Sequence, residues 1–106
     1  MTSNIRYNID KKANAVEVTI SGDIDHHSAK NLREQIDALI DEHHPTTLIL
    51  DLSRVDFMDS SGLGLVFGRL RRQNQHGGTA VVRSPSERTG KILELAGASR
   101  LIDIVN

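Results

Sequence analysis

The chain of 106 residues is 38% hydrophobic and 25% charged, with a formal net charge of −1. This length suits one domain with one core, and the near-neutral charge provides no general attraction to nucleic acid or to an anionic membrane. The absence of cysteine excludes a disulfide scaffold, thiolate catalysis and cysteine-ligated zinc. The polar N-terminal segment MTSNIRYNID is untypical of a secretory signal, so we expect a cytoplasmic protein.

The N-terminal part of the chain predicts a β-hairpin followed by a helix. Apolar and polar residues alternate over 4–10 and again from residue 16, which predicts two strands within residues 4–22, the first of them near a sheet edge. Pro45 helps to end the helix that follows within 26–44. Its apolar positions recur at helical spacing: Ala29, Leu32, Ile36, Leu39 and Ile40.

The C-terminal part alternates strand and helix patterns. The apolar run at 46–52 predicts a strand that is either buried on both faces or central in the sheet. A helix ending near 76–78 and a short buried strand at 79–83 are predicted next. The apolar stripe of that helix consists of Leu63, Val66, Phe67 and Leu70.

The last segment predicts a third helix. Ser84 and Glu87 match a capping box with Pro85 at the first helical position, and Gly97 is expected to end the helix. The order ββαβαβα, with a last short strand or a turn at 101–105, predicts a single α/β domain over residues 1–106. Its mixed sheet has four to five strands, parallel from residue 46 onward. The apolar face of the third helix is predicted to contain Ile92, Leu93, Leu95 and Ala96.

The segment DFMDSSGLG, residues 56–64, lies where a strand meets a helix. Gly62, Gly64 and Gly68 loosely resemble a dinucleotide fingerprint, but two serines already occupy the turn. Gly64 and Gly68 instead share one helical face, where small residues permit close packing. A nucleophilic serine is a second interpretation, with His26 or His27 as base. Neither serine has the flanking small residues of a nucleophile elbow, and no pattern brings the histidines there.

Two further interpretations of this junction stay open. A serine caps the helix and Asp59 complements its positive end, which stability alone would favour. Alternatively, a serine hydroxyl in the first helical turn is a phosphorylation site, because the helix N-terminus tolerates a phosphate whose charge then changes what can dock there.

Two motifs resemble one family. FMDSSGLG followed by LVFGRLRR resembles the signature of the bacterial anti-sigma-factor antagonists, small members of the STAS domain family. SGDIDHHSA, residues 21–29, resembles the recurrent segment of this family between its second strand and first helix. The tract from residue 77 to residue 104 is similar to its closing strand and helix.

This resemblance implies a single STAS-like domain that acts in partner switching. The unphosphorylated antagonist binds an anti-sigma factor that is also a serine kinase, and phosphorylation of Ser60 abolishes binding until a phosphatase of the PP2C type restores it. ATP and Mg²⁺ belong to the kinase, so the resemblance implies no catalytic residue, metal or cofactor in this chain. It further implies a monomer without direct nucleic-acid or membrane binding. The implied partner-binding residues are Asp25, His26, His27, Asp59, Ser60, Ser61, Gly62 and Gly64.

Two points stay open at this level. Arg69, Arg71 and Arg72 fit a solvated helix face better than a surface for an acidic patch on the partner. The runner-up function is a non-phosphorylated STAS scaffold subunit of a transporter or of another signalling complex.

Overall fold

The computed structural model describes residues 3–106. In chain order the elements are β1 (Asn4–Asp10), β2 (Ala15–Ile24), α1 (Ala29–His43), β3 (Thr47–Met58), α2 (Ser60–Gln75), β4 (Thr79–Arg83), α3 (Glu87–Leu95), a 3₁₀-helix (Ala98–Arg100) and β5 (Asp103–Val105). The predicted order is therefore confirmed, and the C-terminal segment forms a strand.

The five strands form one mixed sheet in the order β1-β2-β3-β4-β5. The hairpin strands β1 and β2 pair antiparallel at one edge, and every later pair is parallel. Each parallel pair is joined by a helical crossover, as parallel strands require. The carboxyl ends of β2 and β3 therefore lie side by side, and a helix begins shortly after each of them.

The strand β3 has 12 residues and extends well past the apolar run at 46–52 that predicted it. Its second half contains exposed polar residues such as Arg54 and Asp56, which masked the strand pattern. There β3 pairs with a part of β2 whose register shifts twice, and Gly22 adopts a φ of 92° between the two shifts. Such bulges bend a strand and increase its twist.

The core lies on one face of the sheet. Val18 of β2 and Leu50 of β3 are paired in register and fully buried, and apolar residues of all three helices join the same cluster. On the opposite face Arg83 forms ion pairs with the carboxylates of Glu17 and Asp51. The strand β3 is thus central in the sheet, and the prediction that it is buried on both faces is wrong.

The start of α3 differs from the prediction. The helix begins at Glu87, and Ser86 is its N-cap, whose Oγ accepts a hydrogen bond from the Thr89 N–H at 3.1 Å. The predicted capping box from Ser84 is therefore wrong, and Pro85 lies before the helix. Ser84 instead adopts a left-handed φ of 53° and donates its N–H to a carbonyl of β5.

The end of α3 is predicted in part. Gly97 follows the helix with a φ of 70°, a conformation that favours glycine, so its role in ending the helix is confirmed. Leu95 is 83% exposed and therefore does not belong to the apolar face. Leu93 is the fully buried residue of this helix.

A buried glutamine connects α2 to the sheet. Gln73 is 1% exposed, and its Nε2 donates to the carbonyl oxygens of Pro45 and Thr79 at 2.9 and 3.1 Å. These two carbonyls lie at the starts of β3 and β4. Glutamine is usually a surface residue, so no sequence pattern indicated this contact.

Candidate functional site

The junction between β3 and α2 is organised by Asp59. Asp59 is the N-cap of α2 in extended conformation, and its Oδ1 accepts a hydrogen bond from the Ser61 N–H at 2.8 Å. The interpretation in which a serine caps this helix is therefore wrong. Aspartate is as good a cap as serine and stands one residue earlier, so both serines lie inside the first helical turn.

The two serines have different environments. Ser60 is the first residue of α2 and is exposed, whereas Ser61 is half-buried. Ser61 takes part in the cap only through its backbone N–H, which donates to the Asp59 carboxylate. Ser60 therefore presents the more accessible hydroxyl at this junction.

The junction between β2 and α1 is a second polar turn. The Asp25 Oδ1 accepts hydrogen bonds from the backbone N–H groups of His27 and Ser28, each at 2.9 Å. The Ser28 Oγ in turn accepts from the Asp25 N–H and donates to the Asp23 carbonyl. The hydrogen bond from the Ser28 N–H is the main cause that lowers the pKa of Asp25 below its ordinary value. One carboxylate oxygen of Asp25 thus maintains this turn.

These two junctions are neighbours. Ile24 and Met58 are partners in the parallel register, and the Asp59 N–H donates to the Ile24 carbonyl at 3.1 Å. The segment containing Asp25 therefore lies close to the start of α2.

A groove of about 420 Å³ lies between α1 and α2 beside this paired junction. Its lining includes His26, whereas His27 is exposed outside the groove with its ring 5.8 Å from that of His26. The wall from α2 consists of Ser61, Gly64 and Leu65, and the wall from α1 carries Lys30 and Arg33.

The glycines of α2 serve different purposes. A Cβ at Gly62 would collide with the buried side chain of Met58 and lie 3.4 Å from Ile24, so this glycine is required for internal packing. Gly62 is expected among the partner-binding residues, yet it is buried and lies against Met58 and Ile24. A Cβ at Gly64 or Gly68 would meet nothing within 4 Å, so the prediction that this pair permits close packing is wrong. Gly64 is exposed and lines the groove.

The arginines of α2 do not form a uniform solvated face. Arg69 is buried, with its Nε 2.9 Å from the Oδ1 of Asp37 on α1, and burial lowers the pKa of its guanidinium. Arg72 donates to both carboxylate oxygens of Asp41 at 2.6 and 2.8 Å, which raises its pKa. The predicted solvated face is wrong for Arg69, since both residues join α1 to α2. Arg71 alone of the three is exposed.

Two chemical interpretations of the junction lack their required geometry. All three glycines of the dinucleotide pattern lie within α2, so none forms the turn that a pyrophosphate would need. Ser60 and Ser61 also lack the strained backbone of a nucleophile elbow. Within residues 3–106 the non-glycine positions with positive φ are Asn14, His44 and Ser84.

Two searches of the described part of the chain found no candidates. Residues 3–106 contain no group of three or more histidine, aspartate or glutamate side chains arranged to hold a metal ion. None of their helices combines the length and the apolarity that crossing a bilayer requires.

The fold and sequence are similar to those of known proteins. The anti-sigma F factor antagonist of Paenibacillus polymyxa is 31% identical over 101 residues, which cover 95% of this chain and 86% of that protein. The anti-sigma-B factor antagonist of Bacillus subtilis (strain 168) is 33% identical over 101 residues, covering 95% and 91%.

Solved structures of the Bacillus anti-sigma factor antagonist SpoIIAA are also similar. The unphosphorylated form matches with a TM-score of 0.81 at 28% identity, covering 97% of this chain and 89% of that one. The phosphorylated form matches with a TM-score of 0.73 at the same identity, covering 97% and 92%. The sequence model of the STAS domain matches residues 6–106, and this chain is therefore a member of the STAS domain family.

Proposed function

We propose that this chain is an anti-sigma-factor antagonist that works by partner switching. In its unphosphorylated form it binds an anti-sigma factor that is also a serine kinase, and thereby frees the sigma factor. Phosphorylation of Ser60 abolishes this binding. The observation that carries the proposal is the exposed Ser60 hydroxyl in the first turn of α2, beside a groove, in a chain whose relatives are anti-sigma factor antagonists.

Local physics supports Ser60 rather than Ser61 as the phosphate acceptor. A kinase must bring the hydroxyl in line with its nucleotide, which favours the exposed serine over the half-buried one. The positive end of the α2 dipole stabilises an added phosphate, whereas the neighbouring Asp59 carboxylate repels it. Because these two effects oppose each other, phosphorylation should change the stability of the fold only slightly.

The switch is proposed to act through charge at the interface rather than through refolding. This chain matches both the unphosphorylated and the phosphorylated form of SpoIIAA over 97% of its length, which supports a fold common to both states. Burial of an unpaired phosphate in a docking surface costs several kcal/mol, and a cost of about 3–4 kcal/mol weakens binding by roughly two to three orders of magnitude. That loss is sufficient to release a partner.

The remaining components of the proposed cycle lie outside this chain. The kinase supplies ATP and Mg²⁺, and a phosphatase of the PP2C type removes the phosphate. This chain is then a monomeric cytoplasmic regulator and kinase substrate without catalytic residues of its own. The partner surface is proposed to include the exposed and half-buried residues around the paired junction: Asp25, His26, His27, Asp59, Ser60, Ser61 and Gly64.

Isothermal titration of the cognate anti-sigma factor against Ser60→Ala and Ser60→Asp tests the proposal. Both variants should be folded, and only the aspartate variant should bind at least about a hundredfold more weakly than wild type. Ser99→Asp is the matched control, because it adds the same charge at another exposed serine and should bind normally. If Ser60→Asp unfolds, or binds as wild type does, the electrostatic account fails.

Incubation with the cognate kinase and ATP, followed by mass spectrometry, tests the acceptor. One phosphate is expected, located on Ser60 and absent from Ser60→Ala. A phosphate mapped to Ser61 would refute the assignment.

A further inference from the structure

The groove between α1 and α2 is positively charged. Among the described residues that line it, His26, Lys30 and Arg33 are basic and none is acidic. All three are exposed, and neither Lys30 nor Arg33 forms an ion pair with another described residue. The groove therefore combines free cationic side chains with the half-buried Ser61, next in sequence to Ser60.

These charges oppose what the stability of α1 alone would favour. The N-terminal end of a helix is its positive end and favours acidic side chains, yet the first turn of α1 has none and Lys30 stands in it. Lys30 and Arg33 are three residues apart, so they lie on one helix face and repel each other. In α3, by contrast, Glu87 occupies the first turn.

The buried ion pair beneath the groove adds to this unfavourable arrangement. The pKa of Arg69 is lowered first by burial, and the nearby charge of Arg33 lowers it further, against the favourable effect of Asp37. Removal of the Arg33 charge would therefore ease the burial of Arg69. Lys30 stands where the helix end favours an acid, and Arg33 opposes the burial of Arg69, so a negative charge supplied from outside the chain would offset both effects.

From these observations we infer that the groove binds an acidic segment of the anti-sigma factor, held by Lys30 and Arg33. The inference rests on the proposed function and deepens it. The groove lies between two helices and carries three basic side chains and no acidic one, which suits the acidic side chains of an extended segment. Ser60 directly precedes Ser61, which lines the groove, so a phosphate on Ser60 repels that segment and competes with it for the same two cations. Phosphorylation then weakens binding by two effects at once.

The test compares two double charge reversals by isothermal titration with the anti-sigma factor that binds the wild type. Lys30→Glu with Arg33→Glu should weaken binding at least about tenfold, an effect that shrinks above about 0.5 M salt. Arg88→Glu with Lys91→Glu is the matched control on α3, since it makes the same change in net charge at exposed residues outside the groove. Its binding should stay within about twofold of wild type.

A structural role is separated from a binding role by urea denaturation. The groove variant should unfold cooperatively with a midpoint close to that of wild type, because the acids placed near the N-terminal end of α1 and the loss of repulsion on Arg69 offset the new repulsion from Glu34 and Asp37. Equal affinities for the groove variant and the control variant would overturn the inference. A loss that occurs only with ATP, and not with ADP, on the anti-sigma factor would overturn it as well, by assigning the cations to the nucleotide.

A titration with hexaglutamate, followed by amide chemical shifts, tests the groove without any protein partner. Shifts confined to the residues around Lys30, Arg33 and Ser61, and lost in the groove variant, support the inference. No shifts, or equal shifts around Arg88 and Lys91, contradict it. If no anti-sigma factor binds the wild type, the proposed function fails while this result still reports on the groove.

Discussion

The three glycines of α2 allow a test of how this helix packs next to the proposed phosphorylation site. Substitution of glycine by alanine inside a helix gains up to about 1 kcal/mol of stability through helix propensity alone. At Gly68 that gain should appear in full, because nothing lies within 4 Å of the new Cβ. At Gly62 the Cβ collides with the Cγ and Sδ of Met58, which is fully buried. Such overpacking costs about 1–3 kcal/mol.

The expected outcome is therefore a difference in the free energy of unfolding between two identical substitutions in one helix. Gly62→Ala should be about 1–3 kcal/mol less stable than Gly68→Ala, measured by urea denaturation with an unchanged m value. Gly64→Ala should resemble Gly68→Ala in stability, but it adds a methyl group to the groove wall. If Gly62→Ala proves as stable as Gly68→Ala, the packing argument is refuted. Internal packing would then not explain the glycine at position 62, and contact with a partner would be the alternative explanation.

Two further predictions concern the fold that carries the site. Gln73→Leu leaves two carbonyls at the starts of β3 and β4 without their donor and should lower the free energy of unfolding by about 2–4 kcal/mol in urea denaturation. The same change at exposed Gln75 should cost under about 1 kcal/mol. Equal costs would contradict the structural role of the two Gln73 hydrogen bonds. The hydrogen bond from Arg83 lowers the pKa of Glu17 in the folded state, so its contribution is present above the ordinary glutamate pKa and is lost as pH falls through the lowered value. The free energy of unfolding should therefore decrease below about pH 4.3, and this decrease should be smaller in Glu17→Gln when denaturation is measured from pH 6 to about pH 2. An equal decrease in the variant would show that the pair of Glu17 and Arg83 does not contribute to it.

The sequence by itself determined the element order and the hairpin. Alternating residues over 4–10 and helical spacing over 29–40 report which side of each element is buried, and this information is local. The left-handed glycine after α3 was also readable, because Gly97 meets a backbone requirement of its own turn. The family was indicated by two sequence motifs, about which hydrophobic periodicity carries no information.

Which residue caps α2 and which glycine packs inward was decided by the tertiary structure. Asp59, Ser60 and Ser61 are all good caps in isolation, and only the strand end held beside Ile24 determines which of them is extended. Gly62 and Gly64 are indistinguishable by sequence, since their difference is the position of Met58 underneath one of them.

The charge pattern of the site likewise depended on helix packing. Arginine is usually a surface residue, so the sequence does not distinguish Arg69 from Arg33. The contact between α1 and α2 buries Arg69 against Asp37 and leaves Arg33 in the wall of a groove. Helical periodicity locates a face, whereas burial depends on what another element places against that face. The sequence therefore determined that Ser60 begins a helix in a STAS domain, and the packing of α1 on α2 decided which charges surround it.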